Sequence, residues 1–226
     1  FNTFNTENKS EFMISSLQFL VNPFQENTYL WYNEAGEAAI VDPGFYTTEE
    51  ENKFKEELVR RELKLTRCLL THAHLDHIFG CAFIHEVFGL HPEMHPRSEK
   101  VYKKAYASAE MYGVRMKALP DPVYNFGQDG LCDILGVQFR ILHIPGHSPG
   151  SIGFYLAEQS EIWAGDVLFQ GSIGRTDLLG GDFKTLEQSI RDKLYVLPDE
   201  TIVHSGHGPD TTIGFEKQNN PFVFVS

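Results

Sequence analysis

Residues 71–77 read Thr-His-Ala-His-Leu-Asp-His, so three histidines and one aspartate fall within seven positions. Imidazole nitrogens and carboxylate oxygens are ligands that suit zinc, iron or manganese. His72 and His74 are separated by a single residue, which lets both rings turn toward one ion. Asp76 and His77 offer a further pair of ligands to a neighbouring ion. The segment therefore predicts a metal site.

Three later segments each place a candidate ligand beside glycine: PGHSPGS at 145–151, AGDVLF at 164–169 and SGHGPD at 205–210. Each segment follows a predicted strand, and glycine allows a ligand-bearing loop to turn sharply. The candidate ligands in these segments are His147, Asp166 and His207.

The candidate ligands divide into two groups of three, joined by Asp166. The first group consists of His72, His74 and His147. The second group consists of Asp76, His77 and His207. A carboxylate can span two ions about 4 Å apart, so Asp166 is predicted to bridge them. Two divalent ions, with zinc expected first and iron or manganese as alternatives, would lower the pKa of a shared water toward neutrality. We therefore predict a metal-bridging hydroxide as nucleophile, with Asp76 and Asp166 as the catalytic carboxylates.

The elements that must position these groups are predicted from hydrophobic periodicity. Strands are predicted within 15–42 and at 65–71, 139–144, 152–156, 162–164 and 201–204. Helices are predicted at 48–64, from the histidine segment to 87, at 97–112 and at 183–195, and a loop is predicted at 113–138. A capping box of Thr48 and Glu51 should begin the first helix, and Tyr106 should face inward.

Strands followed by helices occur twice along the chain, which predicts an α/β (α+β) fold with four αββα layers. In such a fold two mixed β-sheets pack face to face, with helices on the outside. Residues 13–226 are predicted to form a single domain. The polar, repetitive residues 1–12 are predicted to be a disordered tail, with Met13 as a plausible original start.

The composition limits which partners the protein is expected to bind and in which cellular compartment it is expected to work. The net charge is −12, from 19 basic and 31 acidic residues, which argues against nucleic-acid binding. No apolar stretch has the length of a membrane span, so no membrane partner is expected. The three cysteines form no CxxC motif, and this favours a reducing, cytoplasmic setting over a disulfide framework.

Other polar residues have two interpretations. Asp42 either orients a ligating imidazole or caps the Pro43-Gly44 turn, and the first is favoured. Arg175 and Asp177 either contact substrate or form a salt bridge between loops. His143 is predicted to be a packed strand residue, with support of a metal ligand as the alternative. The histidines expected to be surface or strand-end groups are His85, His91, His95 and His204.

The ordered set Asp42-Pro43-Gly44, HxHxDH, PGHSPGS, GD and GHG resembles the metallo-β-lactamase superfamily from about residue 13 to residue 221. The presence of both His77 and His207 resembles its binuclear hydrolases, particularly the short glyoxalase II-like group. Only 19 residues follow His207, so we expect the chain to lack the helical extension that helps longer glyoxalase II enzymes hold glutathione. The resemblance implies a thioesterase of the hydroxyacylglutathione hydrolase type, acting on a small-molecule, glutathione-derived thioester.

Rival activities remain open. The GRTD element at 174–177 also resembles persulfide dioxygenases, in which His72, His147 and Asp166 would hold a single iron. A lactonase or another ester hydrolase could use the same scaffold, whereas a nuclease is disfavoured by the acidic charge. A non-catalytic metal-holding scaffold would be expected to have lost a ligand, and this sequence has lost none.

Overall fold

Two six-stranded sheets pack face to face in the computed structural model, which describes residues 13–223. The predicted disordered tail at 1–12 lies outside the described residues. Helices cover the outer face of each sheet, so the layers run αββα and the predicted fold class is confirmed.

The first sheet places its strands in chain order. They are β1 (Ser15–Val21), β2 (Glu26–Tyr32), β3 (Glu37–Val41), β4 (Lys64–Leu69), β5 (Pro92–Met94) and β6 (Val123–Tyr124). The pairs β1–β2 and β2–β3 are antiparallel, whereas the pairs β3–β4, β4–β5 and β5–β6 are parallel. The sheet is therefore mixed, as predicted.

The second sheet and a small hairpin come from the C-terminal half. The strands are β7 (Gly130–Ile134), β8 (Val137–His143), β9 (Ile152–Leu156), β10 (Glu161–Gly165), β11 (Leu168–Phe169), β12 (Ser172–Ile173), β13 (Ile202–Ser205) and β14 (Thr211–Thr212). The sheet order is β14-β13-β10-β9-β8-β7, and only β10 and β13 run parallel. Strands β11 and β12 form a separate two-stranded hairpin.

Helices lie on both outer faces and beside the histidine segment. They are α1 (Thr48–Arg60), α2 (Leu75–Ile78), α3 (Cys81–Phe88), α4 (Glu99–Lys103), α5 (Ala105–Tyr112), α6 (Phe183–Ser189) and α7 (Ile213–Asn219). A 3-10 turn (Pro96–Ser98) precedes α4, and a π-helical turn (Ile190–Leu194) extends α6. Among the described residues, no helix has both the length and the apolar character needed to cross a bilayer.

Aromatic side chains fill the space between the sheets. Trp31 of β2 stacks on Phe139 of β8 with ring centroids 4.8 Å apart, and Trp163 of β10 meets Trp31 at 4.6 Å. In β8 the residues from Val137 to Ile141 alternate between buried and exposed, as expected for a strand with one solvated face. The apolar face of each sheet is thus buried against the other sheet.

The N-cap of the first helix lies one residue earlier than predicted. Thr47 is the N-cap, its hydroxyl accepts from the Glu50 N–H, and the Glu50 carboxylate accepts from the Thr47 N–H. The predicted capping box of Thr48 and Glu51 was wrong because Thr48 is already the first helical residue. Both pairs have the same spacing, so the pattern alone left two registers open.

The helix predicted at 97–112 is interrupted at Lys104, where the backbone N–H donates to the Val101 carbonyl and the α-helix stops for one residue. The buried side chains of Val101, Ala105 and Ala109 nevertheless continue one stripe at four-residue spacing across the interruption. Tyr106, predicted to face inward, is 48% exposed, and its hydroxyl accepts from the Leu119 N–H. That prediction was wrong because residue 106 lies at the edge of the buried stripe, where its ring reaches the surface.

The segment 113–138, predicted to be a loop, contains β6 and the edge strand β7. A tight turn at Leu135 and Gly136, both with positive φ, joins β7 to β8. Glycine suits such a hairpin turn, whereas leucine rarely adopts this conformation. The prediction of a loop was therefore wrong for β6 and for the β7–β8 hairpin, where Gly130 begins a strand and Gly136 lies in the turn.

His95 was predicted to be a surface group and is in fact buried. Its ring stacks on that of His143, the last residue of β8, with centroids 4.2 Å apart and planes within 3°. Burial lowers the pKa of His95 to about 4. His143 donates from Nε2 to the Pro149 carbonyl at 2.9 Å, so it packs at the strand end and restrains the loop that carries His147.

His204 lies in β13, where its ring stacks on Trp163 at 4.6 Å. Its Nδ1 is 3.0 Å from an oxygen of Asp210, and its Nε2 is 3.7 Å from an oxygen of Glu161. Burial alone would lower the pKa of His204, but the hydrogen bond to Asp210 and the charges of both carboxylates raise it from 6.5 to about 9. The protonated form therefore stabilises the fold.

We predict that this contribution is complete below pH 6.5 and lost as the pH rises toward 9. The free energy of unfolding should differ between the native protein and His204→Gln by about 2 kcal/mol more at pH 6.5 than at pH 9. Denaturant unfolding at both pH values measures this difference. His91→Gln is the control, because His91 is exposed and faces no carboxylate among the described residues. An equal pH dependence in both variants would contradict the prediction.

Candidate metal centre

The candidate ligands follow strands that end at one edge of the paired sheets. The histidine segment follows β4, and the loops after β8, β10 and β13 carry His147, Asp166 and His207. Strands β8, β10 and β13 run in the same direction, so their carboxyl ends meet at this edge. Backbone hydrogen bonds join the sheets there, from Ile152 N–H to the Thr71 carbonyl and from Asn27 N–H to the Gly206 carbonyl.

The three members of the first group converge through one nitrogen each. His147 Nε2 lies 2.7 Å from His74 Nδ1 and 3.2 Å from His72 Nε2. All three ligand atoms lie within 4.8 Å of one another. The sequence-predicted first group is thus brought together at a single point.

The second group lies beside the first, with Asp166 between them. His207 Nε2 is 3.1 Å from Asp76 Oδ2, and His77 Nε2 is 3.9 Å from the same oxygen. Asp166 Oδ1 lies 3.4 Å from His77 Nε2, while Asp166 Oδ2 lies 3.7 Å from His147 Nε2 and 3.5 Å from His207 Nε2. One carboxylate therefore faces both groups.

The Asp42 carboxylate lies on the Nδ1 side of two imidazoles, in direct contact with His77 and linked to His72 through Thr71. Its carboxylate accepts from the Thr71 N–H at 2.7 Å and from the Thr71 hydroxyl, and it lies 3.1 Å from His77 Nδ1. The Thr71 hydroxyl is in turn 3.1 Å from His72 Nδ1. With each Nδ1 engaged in this way, the Nε2 atoms of His72 and His77 point at the ligand groups. Asp42 therefore lies within reach of both rings, and its orienting role stays a prediction.

Backbone carbonyls orient two more rings. His147 Nδ1 is 2.8 Å from the Arg175 carbonyl, and His207 Nδ1 is 3.1 Å from the Gln25 carbonyl. A ring that donates through Nδ1 leaves the Nε2 lone pair for another partner. The loop containing Arg175 therefore aligns His147 through its backbone.

Glu26 is a buried carboxylate at this site that the sequence reasoning missed. Its Oε2 accepts from the Thr28 hydroxyl at 2.8 Å, and its Oε1 lies 3.6 Å from His77 Nδ1. Burial raises the pKa of Glu26 well above its ordinary value. The available signal was weak: Glu26 is the only charged residue of β2, a strand that is otherwise aromatic, apolar or neutral.

The donor atoms fit a cation. His77 Nε2 and Asp166 Oδ1 are buried and make no hydrogen bond among the described residues, which is costly for polar atoms unless something else binds them. Gly206 lies so close that a Cβ there would collide with the Asp166 carboxylate and approach the His77 ring to 2.7 Å. Imidazoles and carboxylates together are a ligand set that suits zinc or iron.

The two groups differ in their protonation. Burial lowers the pKa of all three first-group imidazoles, that of His74 to about 3, so their nitrogens carry free lone pairs at neutral pH. Burial would also lower the pKa of His77, but the charges of Asp166 and Asp76 raise it well above its ordinary value. A cation at the second group must therefore displace a proton.

A cavity of about 530 Å³ opens over both groups. Arg175 is part of its lining, and its guanidinium makes two 2.7 Å hydrogen bonds to the Asp177 carboxylate. Both side chains are exposed and belong to the same loop. The salt bridge between loops, considered as one interpretation, is thus a pair within one loop.

The sequence profile of the Metallo-beta-lactamase superfamily matches residues 21–207. The hydroxyacylglutathione hydrolase GloC of Haemophilus influenzae is 41% identical over 209 residues, which cover 90% of this chain and 95% of that protein. The solved structure of the B3 metallo-beta-lactamase BLEG-1 is similar with a TM-score of 0.81 and 37% identity, covering 92% of this chain and 99% of that one.

A structure of TTHA1623 in a di-iron-bound form is similar with a TM-score of 0.80 and 38% identity, covering 91% of this chain and 99% of that one. The profile match spans most of the sequence, and the relatives align over nearly their full lengths. The predicted resemblance is therefore confirmed. The chain belongs to the metallo-beta-lactamase superfamily and is a metal-binding hydrolase.

Proposed function

We propose that the chain is a binuclear metallohydrolase that cleaves thioesters, an activity of the hydroxyacylglutathione hydrolase type. The observation that carries the proposal is the position of Asp166, whose two oxygens face two complete ligand groups at the floor of an open cavity. The similarity to the hydrolase GloC supports the same reaction class. A site for a single ion would not need the second group.

In this proposal each ligand group would hold one divalent ion, and zinc is the ion we expect. His72, His74 and His147 would hold the first ion, and Asp76, His77 and His207 would hold the second. Asp166 would contribute to both. When bound, such ions would lower the pKa of a shared water and polarise a substrate carbonyl.

The protein itself sets the ionisation state of the carboxylates and the orientation of the imidazoles. Burial would raise the pKa of Asp76, but His77 and His207 lower it, so its carboxylate stays ionised at neutral pH. Hydrogen bonds to the outer nitrogens hold His77, His147 and His207 in one tautomer. A thiolate can leave without being protonated, so thioester cleavage requires no general acid from the cavity lining.

We further propose that the substrate is a small molecule rather than a nucleic acid or a membrane, and that the enzyme works in the cytoplasm. The net charge of −12 opposes contact with phosphate backbones. The cavity volume of about 530 Å³ suits a metabolite-sized ligand. The thiol part could be glutathione, and direct assay of S-lactoylglutathione beside simpler thioesters tests this.

We predict that Asp166→Asn lowers kcat/KM for thioester hydrolysis by at least about 100-fold, because loss of one charge weakens both metal sites. Elemental analysis of the same preparation should show fewer than the two ions per chain expected for the native protein. Asp177→Asn is the matched control, since Asp177 is exposed and outside both ligand groups. Its metal content should equal that of the native protein.

Two results would contradict the proposal. One is thioester turnover that persists in metal-free protein. The other is a single iron per chain together with oxygen consumption on a persulfide, which would support the dioxygenase. If the enzyme hydrolyses lactones but not thioesters, the proposed binuclear site stands and the proposed substrate class is wrong.

We predict that Asp42→Asn weakens metal binding by about 10- to 100-fold. The amide keeps the shape of the side chain but removes the charge that holds His77 and, through Thr71, His72 in place. Competition with a chelator measures the affinity. If the affinity matches that of the native protein, Asp42 only stabilises the turn at Pro43-Gly44.

A further inference from the structure

The cavity over the ligand groups has three walls of different origin. One wall is built by α4, α5 and the residue between them. A second comes from the hairpin of β11 and β12, and a third from the loop that contains Leu178 and Leu179. The residues of the wall formed by α4 and α5 are Val101, Lys104, Ser108, Met111 and Tyr112.

Much of this surface is apolar although it faces solvent. Met111 is 70% exposed, and Tyr112 and Leu179 are also exposed. Phe24, Ile173 and Leu178 extend the apolar lining on the other sides. Exposed apolar side chains gathered around a concave site lose contact with water when a ligand binds, so the cavity favours a ligand with an apolar body.

Lys104 and Arg175 are the two lysine or arginine side chains in the lining, and they differ in their pairing. The Arg175 guanidinium is already bound by Asp177 through two hydrogen bonds. Lys104 makes no ion pair with any residue between 13 and 223, whereas its neighbour Lys103 pairs with Glu99 at 2.6 Å. Lys104 is thus the cation of the cavity that remains available to a ligand.

Helical spacing explains why this lysine shares a wall with exposed apolar side chains. Lys104 lies between α4 and α5 with φ −93° and ψ 2°. Ser108 and Met111 follow it by four and seven residues, a spacing that keeps side chains on one face of a helix. One cation and the exposed side chain of Met111 therefore lie on the same wall, beside Tyr112.

We propose that Lys104 determines substrate specificity by binding one anionic group of a thioester whose remaining body is apolar. This inference rests on the proposed thioesterase function and narrows it. Glutathione carries two carboxylates and an ammonium group, which a single unpaired lysine among apolar walls would not complement. Recognition in this cavity instead favours an apolar acyl thioester with a single negative charge.

The test compares two thioesters of 2-mercaptoethanol that differ in one charge, the 4-sulfobenzoyl ester and its neutral 4-sulfamoylbenzoyl analogue. With metal-loaded enzyme, Lys104→Met should raise KM for the sulfonate about tenfold, equivalent to about 1.4 kcal/mol of binding free energy. The value of kcat should be unchanged, and so should both constants for the neutral ester. Lys104→Arg retains the charge and should restore KM.

Lys100→Met is the matched control, because Lys100 is exposed on α4 and does not line the cavity. It removes the same charge and should leave both substrates unaffected. If Lys104→Met and Lys100→Met change KM equally, the inference is overturned. The apolar part is tested by Met111→Ser, which should raise KM for both esters, with Val87→Ser on the exposed side of α3 as its control.

Binding without turnover separates this inference from the proposed function. Calorimetric titration with 2-naphthalenesulfonate should show about tenfold weaker binding to Lys104→Met than to Lys100→Met. If no thioester is hydrolysed but this difference persists, the thioesterase proposal fails and the ligand class stands. If thioesters are hydrolysed and the difference is absent, the role of Lys104 is wrong and the thioesterase proposal stands.

Discussion

The burial of several carboxylates and imidazoles at one edge of the paired sheets is the constraint that organises this molecule. Asp42 is almost completely buried, and Asp76 and Asp166 lie at the ligand groups. Carboxylates so close together repel one another unless positive charge lies among them. The raised pKa of His77 is a direct consequence of that excess negative charge. Bound cations would compensate this charge.

Hydrogen bonds between the two sheets lie at the same edge as the buried ligand residues. The hydrogen bonds from Ile152 to Thr71 and from Asn27 to Gly206 connect one sheet to the other at the same edge. Asn27 also donates through its side chain to the carbonyls of Ser205 and Gly208. The two halves of the chain therefore cannot separate without breaking the site, which links its geometry to the stability of the whole fold.

The floor and the walls of the cavity have different physical origins. Ligand atoms on the floor are held by loops between central strands and by hydrogen bonds to the outer imidazole nitrogens. Side chains on the walls come from short helices, a two-stranded hairpin and an exposed loop. A fixed set of ligand residues surrounded by variable helices and loops is typical of scaffolds that support several substrate classes. Lys104 belongs to the wall, where such specificity is set.

Sequence alone determined the four-layer fold, the superfamily and which side chains could meet at its ligand groups. It could do so because these features depend on short-range patterns: strand and helix periods, and ligand residues beside glycine at strand ends. Only the tertiary structure decided that Glu26 is buried beside His77, that His95 stacks on His143, and that Lys104 lines the cavity. Burial and pairing of this kind depend on residues far apart in the chain, and no local pattern encodes them.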